Sequence, residues 1–357
     1  MVDTNDVILQ MNKNICQQLD ASDCDNPEPY FELDNHNLFL YSEHIPRMIS
    51  LSKKEIKPFF CDLDITHLML PKVKLTAFPA CKKGSRLTTT LEFLDLRESN
   101  LNSLPKAISN FQQLKYLDLN NNKFTEIPEE IFTLEKLKTL YLYDNEITTI
   151  PDAIKELDLE DLSLTGNNIK KLPNLDGLLS LKSLDAKRNQ IQTFPELSQT
   201  SNLEHLDLSD NRLEEIPSQI KHLKNLTRLN LDYNKLKSIA DVFHRDPISK
   251  KPFALEHLDL THNRTLTSLP ESFGELDNLA HLDITLNRKL TDIPEAIFNL
   301  KNLKRIEGEY VPFTDEHFRH IEQAQIKNHE LVVTTTKQRE KISHGYYSRP
   351  KYEVLPT

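Results

Sequence analysis

The sequence predicts an α/β solenoid in which a curved parallel β-sheet lines a concave face, with short turns or helices behind it and a cap at each end. Three observations carry that expectation. An internal period of 22 to 24 residues runs through most of the chain, each period holds a short strand-like alternation of leucines, and an asparagine closes that alternation in nearly every period.

Aligning the chain on Leu-x-x-Leu-x-Leu-x-x-Asn sets repeat starts at Leu91, Leu114, Leu137, Leu159, Leu181, Leu203, Leu226, Leu255 and Leu279. Steps are 22 or 23 residues, apart from 24 between Leu255 and Leu279 and 29 between Leu226 and Leu255. A degenerate repeat begins at Ile65 (with Leu68, Leu70, Leu75 and Phe78-Pro79), and a partial one begins at Leu303. A chain of 357 residues would otherwise suggest two or three domains; here one architecture spans 65–306.

Alternations such as Leu117-Asp118-Leu119 and Leu206-Asp207-Leu208 place the leucines inward and the intervening residue outward, so the strands stack in parallel. The ninth residue is Asn122, Asn145, Asn167, Asn189, Asn211, Asn234, Asn263 or Asn287, with Ser99 in the first clear repeat. An amide side chain both donates and accepts, so a buried asparagine can satisfy backbone groups where the chain leaves the strand. These asparagines are read as structural.

The second half of each coil reads Leu-Pro-x-x-Ile, as in Leu104-Pro105-Lys106-Ala107-Ile108, and proline there starts a turn or short helix on the convex side. The seventh repeat departs from this with Ile239-Ala240 and an added polar segment from His244 to Pro252, expected to protrude as a loop. Such a loop is either functional or a tolerated insertion.

A stack of coils needs capped ends. Residues 1–64 are expected to form a mostly helical N-terminal cap, with one helix starting at Asp3 or Thr4 and another near Ser52 to Phe60. In 307–357, Thr314-Asp315-Glu316 opens a helix through Phe318 and Ile321, Leu331-Val332-Val333-Thr334 follows as a strand, and the tail from Lys337 is loose and basic.

The repeated motif resembles the class of leucine-rich repeats, about 22 to 24 residues long, shared by intracellular Ras-pathway scaffolds and many bacterial repeat proteins. The resemblance covers residues 65–306 and implies a right-handed leucine-rich-repeat solenoid, but it does not name a partner. Abundant Lys, Asn and Ile, six glycines and no tryptophan suggest an AT-rich genome. With short flanks around the repeats, the chain resembles translocated bacterial effectors. That resemblance implies action in a host cell cytosol; the alternative is a resident cytosolic scaffold or regulator in small-GTPase or phosphatase signalling.

Composition excludes several classes. A net charge of −10 argues against nucleic acid and favours a partner with a basic surface. The polar N-terminus lacks a Sec-type signal pattern and no stretch approaches a membrane span, so neither a Sec-type signal nor a membrane anchor is expected. Cys16, Cys24, Cys61 and Cys81 show no metal spacing and are read as reduced thiols, the alternative being a Cys16–Cys24 disulfide. Six scattered glycines make no phosphate-cradling loop, and no cysteine follows Cys81 that could serve as a ligase nucleophile. A non-catalytic monomer without cofactor or metal is expected, enzyme activity hidden in the flanks being the remaining alternative.

Candidate binding residues lie in outward columns. The column between the strand leucines contains Asp95, Asp118, Asp185, Asp207, Asp259 and Asp283, which serves either as an electrostatic docking stripe or as a merely soluble face. Phe93, Tyr116, Tyr141 and Tyr143 cluster at one end and form the preferred partner-binding patch, since exposed aromatics are costly in water and typical of hot spots. Three His-Leu-Asp triplets put His205, His257 and His281 beside Asp207, Asp259 and Asp283. Solvated surface pairs account for them better than a metal or acid–base site.

Overall fold

The computed structural model describes residues 31–34, 37–40, 49–51, 61, 63–70, 73–75, 81–194, 202–245 and 252–336. They form two compact units, Met1–Leu213 with Gln219–Leu226, and Glu214–Ser218 with Thr227–Thr357.

In the first unit, β1 (Phe31–Asp34) and β2 (Asn37–Leu40) form an antiparallel hairpin, and β2 starts a parallel stack. The stack continues through β4 (His67–Met69), β6 (Phe93–Asp95), β7 (Tyr116–Asp118), β8 (Thr139–Tyr141), β9 (Asp161–Ser163), β10 (Ser183–Asp185) and β11 (His205–Asp207). Beside it, β3 (Ile49–Leu51) pairs in parallel with β5 (Val73–Leu75), and a short helix, α1 (Arg86–Thr90), precedes β6. Behind the sheet, one-turn 3₁₀ helices Lys106–Asn110, Glu129–Thr133 and Asp152–Glu156 each follow a proline, as the Leu-Pro-x-x-Ile pattern predicts. Each buries its isoleucine, Ile108, Ile131 or Ile154, against the strand leucines.

The second unit contains β13 (Arg228–Asn230), β15 (His257–Asp259), β16 (His281–Asp283), β17 (Arg305–Gly308) and β18 (Val332–Thr335), all parallel, plus a parallel pair of β12 (Glu215–Ile216) with β14 (Ser238–Ile239). Its C-terminal end is closed by α2 (Asp315–Lys327) and β18, as expected. Thr314 caps α2: its hydroxyl accepts from the His317 amide at 3.2 Å while its own amide donates to His317 Nδ1 at 3.0 Å. The seventh repeat puts Phe243 where most coils have isoleucine, packed edge-on against Phe253 and against Phe273, which holds the same place in the next coil. The base of the predicted loop is tied down by Arg245, bidentate on Asp277 at 2.7 and 2.8 Å, and by His244 on Glu275 at 2.8 Å. Its centre, around Pro247, lies outside the described residues.

The asparagine ladder has the expected register. Asn189 Nδ2 donates to the carbonyls of Leu164, Ala186 and Lys187 at 2.9, 3.1 and 3.1 Å, and its Oδ1 accepts from Ile169 N–H at 3.0 Å. One amide thus serves its own coil and the preceding one. Ser99 fills the same place in the first clear repeat with a shorter reach, donating to the Leu70 carbonyl at 3.2 Å. The residue before each ladder position has left-handed backbone: Glu98, Asn121, Asp144, Gly166, Arg188 and Asp210 in the first unit, and Tyr233, His262, Leu286 and Tyr310 in the second. Such conformations cost most residues roughly 1–2 kcal/mol, and Asn, Asp and Gly less.

In the described part of 1–64 three short strands appear where the sequence predicts a mostly helical cap: Phe31-Glu32-Leu33-Asp34 alternates at a period of two and Asn37-Leu38-Phe39-Leu40 is a short apolar run, two residues apart in sequence. The second of these also pairs the otherwise bare edge of β4. The expected helices, and the tail from Lys337, lie outside the described residues, as do Cys16 and Cys24. The thiols of Cys61 and Cys81 are not reduced: they form a disulfide across 20 residues with Cα atoms 5.3 Å apart. The coil between them brings its two ends together, a proximity that spacing in sequence does not reveal.

Replacing Asn189 with Leu leaves buried backbone groups of two coils unpaired and should cost at least about 1–3 kcal/mol, read as a lowered urea midpoint. An unchanged midpoint would contradict the ladder. Cys61→Ser should cost about 3 kcal/mol for a loop of this length. Thiol titration of the unfolded, unreduced parent should find neither Cys61 nor Cys81 reactive.

Candidate functional site: the aromatic row and depression of the first unit

Consecutive strands stand about 4.8 Å apart, so equivalent outward side chains meet face to face. Parallel register sets His67 beside Phe93 and Phe93 beside Tyr116. The His67 and Phe93 rings stack at 5.1 Å, Phe93 and Tyr116 at 3.9 Å with planes 7° apart, and Tyr116 meets Tyr141 edge-on at 5.4 Å. The row changes column at its end, because Tyr141 pairs with Asp118 and not with Tyr116. All four rings are half-buried, each leaving one part open to solvent.

Beyond Tyr141 lies a depression of about 440 Å³ lined by Asn120, Tyr141, Tyr143, Asp161, Ser163, Thr165, Ser183 and Asp185. Its lining is rich in hydroxyls and holds two carboxylates. Tyr141 Oη donates to Asp161 at 3.1 Å, and Thr165 Oγ1 donates to Asp185. Burial, helped by Asp161, pushes the Tyr141 hydroxyl up to about 12, so it stays a donor at any physiological pH. Asn120 Oδ1 fixes the rim by accepting from the Tyr143 amide at 2.6 Å. At Gly166 the backbone is left-handed at φ 65° and an added Cβ would press on the Asp144 carboxylate, so a larger residue there would push that side chain aside.

The aspartate column has a local structural use as well. Asp95, Asp118, Asp185, Asp207, Asp259 and Asp283 each accept from the backbone N–H two residues on, at 2.8 to 3.1 Å. Asn230 does the same at 3.0 Å. The column recurs because the turn after each strand needs an acceptor, an Asx turn repeated down the sheet. Asp95 and Asp118 are only 1% and 3% exposed, and Arg97 pairs with Asp95 at 2.9 Å. Burial raises the pKa of Asp95, Asp207 and Asp259, and takes Asp118 to about 6.

Tyr143 stands apart from the ring row, on the rim of the depression, with its hydroxyl pKa raised chiefly by Asp144. In the first unit His205 is exposed beside Ser183 on the neighbouring strand. In the second, His257 and His281 stack at 4.6 Å with planes 4° apart, between Arg228 and Arg305 in the same column. Burial first, then His281 and Arg228, lowers the His257 pKa. Among the described residues no group of three or more His, Cys, Asp or Glu could hold a metal. Sequence reading missed His67, Asn120, Asp161, Ser163, Thr165 and Ser183. Reading the column that contains Phe93 and Tyr116 onward would have found Asp161 and Ser183, and reading it backward His67.

Comparison with known proteins agrees with this geometry. A leucine rich repeat family model matches residues 112–169 and 253–307, and a model of two such repeats matches 201–244. The chain carries leucine-rich repeats, and its fold is the leucine-rich-repeat solenoid. Repeat domains of this kind are typically non-catalytic and generally mediate protein–protein interaction. No curated protein matches the chain in sequence. Among solved structures, the leucine-rich repeat domain of the type III effector XopL is similar at 20% identity and TM-score 0.52, over 60% of this chain and 74% of that one. A chain of the octameric complex of Latrophilin 3, Unc5D and FLRT2 is similar at 21% and 0.54, over 86% and 91%. A Leptospira interrogans leucine-rich-repeat protein is 25% identical over 81% and 89%, with a TM-score of 0.47.

Because the Asp118 pKa is raised from 3.8 to about 6, ionising it opposes folding: stability present below pH 4 is lost as pH rises through 6. Asp118→Asn keeps the acceptor, as Asn230 shows, and removes the charge. It should raise stability at pH 8 by roughly 1–3 kcal/mol and leave it unchanged at pH 3.5. Equal midpoints of parent and variant at both pH values would refute this.

Proposed function

We propose that this chain is a non-catalytic binding protein whose partner docks on the concave face of the first unit, over the row His67, Phe93, Tyr116 and Tyr141. The observation that carries the reading is the row itself: four rings held in contact on a sheet hydrogen-bonded on both sides, with little side-chain entropy left to lose on binding. Beside it, Asp161 and Asp185 are held by neutral hydroxyl donors under a tyrosine rim, an arrangement that suits a lysine or arginine of the partner. The partner is therefore a protein with a basic surface.

The site of action in this proposal is a host cell, reached by translocation from a bacterium. The AT-rich composition supports it, and so does a likeness, at the level of fold alone, to the repeat domain of a type III effector. The Cys61–Cys81 disulfide fits a chain that meets an oxidising space on its way, and weighs against a resident cytosolic scaffold.

The double variant Tyr116→Ala, Tyr141→Ala should lose about 2 kcal/mol or more of partner affinity, roughly thirtyfold in Kd, measured against the protein that the parent captures from host lysate. Lost ring contacts should cost the fold only about 1 kcal/mol. Equal capture by parent and variant would remove the row from the interface.

A further inference from the structure

The second unit departs from a backbone preference that the first mostly follows. At the left-handed position before the ladder asparagine, four of six residues in the first unit are Asn, Asp or Gly, which tolerate that backbone. The second unit has Tyr233 (φ 53°), His262 (φ 56°) and Leu286 (φ 63°) there, and Tyr310 (φ 61°) at the equivalent place before Val311; histidine tolerates this conformation, but the two tyrosines and the leucine are bulky side chains that disfavour it. The core gains little in return. Tyr233 is 51% and Tyr310 49% exposed. Tyr233 stacks on His262 at 4.0 Å, and the Arg288 guanidinium lies 5.3 Å from the centre of the Tyr310 ring. Strained and exposed at once, Tyr233 and Tyr310 work against folding and suit contact with another molecule, with His262 and Leu286 half-buried between them.

Charge indicates what that molecule is. The residue after the asparagine is basic in successive coils, giving exposed Lys235, Arg264 and Arg288 alongside the aromatic row. In a chain of net charge −10 this edge is a local cationic strip. We propose that it is a second docking surface, for an acidic segment of a partner protein. The apolar side chains of that segment would pack on the Tyr233–Tyr310 row, while its carboxylates meet Lys235, Arg264 and Arg288. A polynucleotide fits less well: Asp232 and Glu309 directly precede Tyr233 and Tyr310, so the cations are interrupted by carboxylates and suit spaced acidic side chains better than an unbroken line of phosphates. This surface shares no residue with the aromatic row of the first unit, so either reading can fail alone.

The test uses the full chain and a fluorescein-labelled copolymer of glutamate and tyrosine, with anisotropy followed at about 50 and about 300 mM salt. Binding should be tighter at the lower salt. Arg264→Glu with Arg288→Glu should weaken it about tenfold or more, and so should Tyr233→Asn with Tyr310→Asn. The asparagine variant should also melt no lower than the parent, since asparagine tolerates the backbone better. The Tyr116→Ala, Tyr141→Ala variant should bind the copolymer as the parent does. Unchanged affinity in either second-unit variant would overturn the proposal. So would a lowered melting temperature in the asparagine variant, which would make the rings structural, or tighter binding of a labelled oligo-dT than of the copolymer.

Discussion

Everything in this molecule depends on one recurring interaction, the asparagine side chain that bonds the backbone of two coils at once. At the end of each strand the chain turns inward, and its carbonyls and amides face a leucine core that cannot solvate them. An amide with two donors and an acceptor at this corner satisfies them, as Asn122, Asn145, Asn167 and Asn189 each do. The period of the sequence is the period of this bond. Where serine replaces asparagine, at Ser99, the reach shortens and the Asn122 side chain supplies the acceptor that the Ser99 amide needs.

A regular ladder turns sequence columns into surface columns, and each column carries its own chemistry. In the column between the strand leucines the turn demands an acceptor, so aspartate recurs there for local reasons and its charge is largely enclosed. The neighbouring column has no such demand. It varies freely, with phenylalanine, tyrosine, threonine, aspartate, serine and histidine following one another in the first unit. His67, Phe93, Tyr116 and Asp161 of the proposed site come from that unconstrained column, while Tyr141 and Asp185 come from the column beside it.

The second unit shows the converse, a constrained position that holds unsuitable residues. Left-handed backbone at the end of each coil's strand segment favours Asn, Asp or Gly; Tyr233, Leu286 and Tyr310 contravene that preference, and the two tyrosines do so while about half exposed. Their neighbours differ in charge from the acidic depression of the first unit. The first unit thus carries a carboxylate-lined pocket and the second a cationic, aromatic edge.

The sequence by itself determined the repeat starts, the strand faces, the proline-led turns behind the sheet and the Thr314 helix cap, because each follows from residues close together along the chain. It also placed Phe93, Tyr116 and Tyr141 on successive strands. Tertiary structure decided the rest. The switch of column between Tyr116 and Tyr141, the joining of His67 to the row, the enclosure of Asp95 and Asp118, and the Cys61–Cys81 bond all depend on how one coil lies on the next. A period read along the chain fixes which residues are equivalent; only the stacked coils determine which of them touch, and how much water each retains.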